Sequence, residues 1–110
     1  MLIEFTANGS AKVLSRAIEE YARAQGNVNA LVVPWESDAS TLSMAVTAMK
    51  IDGWAIEHTN LGTITLTAIG DETTRVAIEA PDQTTHAEPK LAAVFDRFAQ
   101  QLQKKLATVS

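Results

Sequence analysis

Cysteine is absent from the 110 residues, which excludes a disulfide framework, a thiolate nucleophile and a zinc site of the Cys-rich kind. Only two histidines are present, too few for an all-His metal centre. Charge of one sign is not concentrated anywhere. Nine Lys and Arg are dispersed among thirteen Asp and Glu, giving a net charge of −4. A negative chain with no basic patch and no aromatic platform argues against nucleic-acid binding. No apolar run approaches the roughly 18 to 20 residues that span a bilayer, and no helix-like segment carries a basic amphipathic face, so no membrane association is expected. The opening Met1-Leu2-Ile3-Glu4-Phe5 lacks the basic region and cleavage site of a signal peptide, and the expected location is cytoplasmic. What is present is an ordinary globular composition, 46% apolar and 20% charged, in a length that suits a single domain over residues 1–110.

Residues 2–7 alternate Ile3 and Phe5 against Glu4 and Thr6, the period of a strand with one face buried. After the turn and cap residues Asn8-Gly9-Ser10, the period changes. Leu14, Ile18 and Tyr21 fall at spacings of four and three, predicting a helix over 10–25 closed by a left-handed Gly26. Its polar side offers Arg16 with Glu20 and Glu19 with Arg23 at i, i+4. Residues 28–33, Val-Asn-Ala-Leu-Val-Val, are a short β-branched run that predicts a strand ending at Pro34. Residues 40–51 fit both periods: Leu42, Ala45, Val46 and Met49 make a helical stripe, whereas Leu42, Met44, Val46 and Ala48 make a strand face. Asp52-Gly53 serves a hairpin turn or a helix terminator equally well.

From Trp54 the alternation predicts a meander of three strands over 54–59, 63–69 and 74–80, with turns at Asn60-Leu61-Gly62 and Gly70-Asp71-Glu72-Thr73. After a polar loop, Leu91, Val94, Phe95, Phe98, Leu102 and Leu106 mark one helix face. Pro89 suits the first turn of that helix, and Lys104 and Lys105 suit its last. The fold class is therefore α+β: an antiparallel sheet of five or six strands packed on a long C-terminal helix, with one N-terminal helix after the first strand.

The run Leu61-Gly62-Thr63-Ile64-Thr65-Leu66-Thr67-Ala68-Ile69-Gly70-Asp71-Glu72-Thr73-Thr74-Arg75-Val76-Ala77-Ile78, followed by Leu91-Ala92-Ala93-Val94-Phe95-Asp96-Arg97-Phe98-Ala99, resembles the closing half of START-like (SRPBCC) helix-grip proteins. The resemblance covers about the last 50 residues. It implies a curved antiparallel sheet gripping the last helix. It also implies a role in binding lipids, hormones or other hydrophobic small molecules, as a cyclase, or as an interaction module. The chain is shorter than such proteins and has one helix where they commonly have two after the first strand.

No nucleophile, acid and base stand at a spacing that points to catalysis. His58 shares a predicted strand face with Trp54 and Ile56, while Glu57 points to the opposite face, so the two form no dyad. His86, Glu88 and Asp82 offer metal-ligand chemistry, but Thr85 and Glu88 have the spacing of a helix capping box, and no metal is expected. Asn8-Gly9-Ser10-Ala11-Lys12 joins a strand to a helix N-terminus without the phosphate-loop spacing. The expected function is non-catalytic binding of a hydrophobic or amphipathic small molecule, without a cofactor. The expected cleft lies between the sheet and the last helix and is lined by Trp35, Met44, Trp54, His58 and Phe95. The alternative is a homodimeric interaction module with a filled interior and no ligand, pairing an exposed strand or covering the surface near Trp35.

Overall fold

A computed structural model describes residues 2–26, 28–38, 40–52, 55–80 and 89–106. Strand β1 (Leu2–Asn8) is followed by helix α1 (Ala11–Gln25), then by β2 (Val28–Val32) and a 3₁₀ turn (Pro34–Glu36). Strands β3 (Thr41–Asp52), β4 (Ala55–Gly70) and β5 (Thr73–Glu79) come next, and helix α2 (Pro89–Leu106) closes the chain. The five strands form one sheet in the order β1-β5-β4-β3-β2, every neighbouring pair antiparallel. Helix α1 carries the chain from one edge of the sheet to the other, and the meander then returns to β1.

Local chemistry fixes the ends of α1. Ser10 accepts a hydrogen bond from the Val13 amide at 3.2 Å through its side chain, and Gly26 takes φ 82° while its amide donates to the Arg23 carbonyl at 3.1 Å. The i, i+4 pairs of α1 do not close: neither Arg16 nor Arg23 forms an ion pair with another described residue.

The segment with two readings, 40–51, is strand β3. Its inward residues Met44 and Val46 are fully buried, and β2 and β4 pair it on both sides. Pairing to two neighbours satisfies backbone groups that a helix would satisfy alone, so tertiary context decides between two equal local patterns.

The predicted turn at Asn60-Leu61-Gly62 does not occur, and the meander of three short strands is corrected to two. Strand β4 runs unbroken through these residues, opposite β3, with a register shift that pairs Val46 with Gly62 and Thr47 with Asn60. Leu61 is the extra residue of a β-bulge, and both it and Gly62 are buried. The sheet thereby has five strands.

One face of the sheet carries the core. Ala7, Val28, Ala30, Met44, Val46, Leu61, Ile64, Leu66, Val76 and Ile78 meet Leu14, Ile18 and Ala22 of α1 and Phe95, Phe98, Ala99 and Leu102 of α2. Tyr21 links the helices. Its ring lies 5.5 Å from that of Phe98, its hydroxyl donates to Gln101 Oε1 at 2.8 Å, and Lys105 Nζ stands 5.1 Å from the ring centre. The opposite sheet face presents Thr41, Ser43, Thr63, Thr65, Thr67 and Arg75.

Candidate functional site

Of the five residues expected to line one cleft, the side chains of three are described, and Trp35 stands apart from Met44 and Phe95. Met44 on β3 and Phe95 on α2 belong to the same buried cluster, at 0% and 1% exposure. Trp35, in the 3₁₀ turn after β2, is 83% exposed. His58 pairs with Met49 in the β3–β4 register, its side chain lying outside the described residues, as does Trp54. The residues 82–88, with His86, Glu88 and Asp82, are likewise outside them.

Met44, Ile64 and Leu66 are fully buried in the one core cluster that side chains of both helices share. A groove of about 190 Å3 lies where the C-terminal end of α1 and the start of β2 meet α2, lined by Gln25, Val28, Val94, Arg97, Phe98 and Gln101. The elements set its chemistry. Phe98 and Val28 are core residues that form the floor. Val94 and Arg97 also line a second, open depression beside the groove with Ala93. Gln101 is held by Tyr21. Arg97 is exposed and makes no hydrogen bond or ion pair with another described residue. The groove thus offers an apolar floor, an amide rim and one guanidinium with no partner among the described residues.

A larger depression of about 730 Å3 lies across the sheet end, lined by Asn8, Gly9, Ser10, Val13, Asp71, Glu72 and Thr73. Its chemistry opposes itself. The start of α1 favours an anion, but Ser10 is already engaged as the cap, and the carboxylates of Asp71 and Glu72 repel one. The Gly9 amide donates to the Glu72 carbonyl at 2.6 Å and the Thr74 hydroxyl to the Gly9 carbonyl at 2.8 Å, so these groups serve the β4–β5 turn.

Among the described residues every buried side-chain polar atom has a hydrogen-bond partner, and no three His, Asp or Glu side chains gather as a metal-ligand set. Buried Ser15 donates to the Lys12 carbonyl at 2.7 Å, a bond internal to α1. Among the described residues no helix is long and apolar enough to cross a membrane.

Reasoning from the sequence missed Arg97 and Val94 as site residues. The signal available was their position beside the Phe98–Leu102 stripe: Val94, Arg97 and Gln101 follow one another at spacings of three and four. That Gln25 and Val28 complete the groove depends on how α1 meets α2, which no local pattern encodes. No family model, curated protein or solved structure matches the chain.

Proposed function

We propose that this protein is a non-catalytic binding protein for a small amphipathic acid, seated in the groove between the end of α1, β2 and α2. The observation that carries this reading is the exposed Arg97 guanidinium, without a partner among the described residues, beside an apolar floor of Phe98, Val28 and Val94. A guanidinium takes a carboxylate in a two-pronged, charge-assisted geometry, and an adjacent aromatic floor takes the apolar body of the same molecule. The groove is smaller than the roughly 300 Å3 of ordinary ligand clefts, which suits an aromatic ring or a short acyl end rather than an entire lipid. The hairpin-then-helix order of β4, β5 and α2, with α2 on the core face of the sheet, supports reading the chain as a reduced relative of the helix-grip proteins.

Isothermal titration with benzoate, octanoate and octanol tests the reading. Both acids bind the wild-type protein more tightly than octanol does, and Arg97→Gln reduces acid affinity about tenfold, as expected for loss of one charge-assisted contact. Equal binding of octanol and octanoate, or an Arg97→Gln variant that binds the acids as the wild type does, would overturn it.

A further inference from the structure

We infer that β2 pairs antiparallel with β2 of a second copy of this chain, about a two-fold axis at Ala30, joining two five-stranded sheets into one of ten strands. The inference is independent of the ligand groove.

Strand β2 lies at the sheet edge. The Val33 amide donates to the Ser43 carbonyl at 2.8 Å, and the alternation of an antiparallel ladder then assigns Asn29, Leu31 and Val33 to bonding with β3. The N–H and C=O groups of Val28, Ala30 and Val32 therefore point away from the sheet. Turned about Ala30, these same three residues meet their counterparts: Ala30 faces Ala30 of the second copy, and Val28 faces Val32. The ladder is self-complementary in its hydrogen bonds as well as its side chains.

Edges of natural sheets are commonly blunted by charge, by proline or by a covering loop. The opposite edge of this sheet carries the exposed Glu4 on β1. Residues 28–33 hold no charge and no proline; Pro34 comes immediately after, where it ends the pairing without interrupting it. Two of the large apolar side chains most exposed to solvent lie on or next to this strand, Leu31 at 62% and Trp35 at 83%. In the paired arrangement Leu31 sits diagonal to its own copy on the face away from the helices, a separation within reach of long side chains.

Charge chooses the second copy of this chain over other partners. An antiparallel pair brings the start of one β2 beside the end of the other. The start is preceded by Arg23 in the last turn of α1, and the end is followed by Glu36 in the 3₁₀ turn. Both are exposed, and neither has an ion-pair partner among the described residues. The two-fold places each Arg23 towards the other copy's Glu36, so the attraction occurs twice.

Sedimentation of the full chain at high and low concentration tests the inference, with Leu31→Lys, Glu36→Arg and the swap Arg23→Glu/Glu36→Arg beside the wild type. The wild type is a dimer that dissociates on dilution, and Leu31→Lys, a change at an exposed site, is a monomer with unchanged circular dichroism. Glu36→Arg weakens the dimer and the double swap restores it, a recovery that no folding defect imitates. In the dimer the amides of Val28, Ala30 and Val32 exchange slowly. A wild type that is monomeric at every concentration would overturn the inference. So would Leu31→Lys and Glu36→Arg variants that dimerise as the wild type does.

Discussion

Gly62 lies flat beneath Phe95. A methyl group placed on its Cα would stand 2.8 Å from Phe95 Cε2 and 2.5 Å from the Glu79 carbonyl oxygen. The bulge at Leu61 brings β4 up to the ring, and only a residue without a side chain leaves the ring room. This contact sets how closely α2 approaches the sheet, and hence where the groove opens one turn along, at Phe98.

Gly62→Ala is accordingly expected to destabilise the fold by about 1–3 kcal/mol, the usual cost of overpacking a core. Because part of the clash is with Phe95 and part with the Glu79 carbonyl, the double variant Gly62→Ala/Phe95→Leu recovers part of the loss and is less destabilised than the two single changes added together. Urea unfolding of the four proteins measures this coupling; strict additivity would separate Gly62 from Phe95.

Tyr21 gives a second, smaller test. Tyr21→Phe keeps the ring against Phe98 and under Lys105 but removes the bond to Gln101, for an expected loss of about 0.5–1 kcal/mol. Tyr21→Ala removes the ring as well and costs about 2 kcal/mol or more. Thermal unfolding of the two variants ranks them, and equal losses would mean that the ring does not join the helices.

The sequence made some of this legible and some not. Helix α1 was readable to within a residue because its signals are local: Ser10 and Gly26 mark the ends, and Leu14 and Ile18 the buried stripe. Residues 40–51 held two patterns at once, and long-range pairing with β2 and β4 chose between them. Gly62 was misread because glycine serves both tight turns and close approaches. The difference lies in Phe95, 33 residues away in the chain. Of the candidate site, the sequence pointed to the region between sheet and last helix. Met44 and Phe95 turned out to be core, since residues on the buried stripe itself are used up by packing, while Arg97 on the flank remains accessible.

The Asp38 carboxylate accepts from the amides of Ser40 and Thr41, both at 2.9 Å, and from the Ser40 hydroxyl at 3.1 Å. The Ser40 amide bond, followed by the Ser40 hydroxyl and the Thr41 amide, holds its pKa below the ordinary value of 3.8. A group depressed on folding stabilises the native state above its unfolded pKa, and that contribution is lost as pH falls through the folded value. Asp38→Ala is therefore less stable than the wild type near neutrality, and the gap narrows as pH falls below 3.8. Denaturant unfolding across acid pH, with a carboxyl NMR titration of Asp38, checks both the direction and the window; a gap that stays constant with pH would contradict it.

Methyl-resolved NMR during titration with octanoate tests the ligand groove most directly. The methyl groups of Val28 and Val94 and the Arg97 side chain are expected to shift together and saturate together, while Val13 beside the polar depression stays unmoved. Shifts confined to Val13 and its neighbours, or no saturable shift at Val28 and Val94, would contradict the claim that this groove is the binding site.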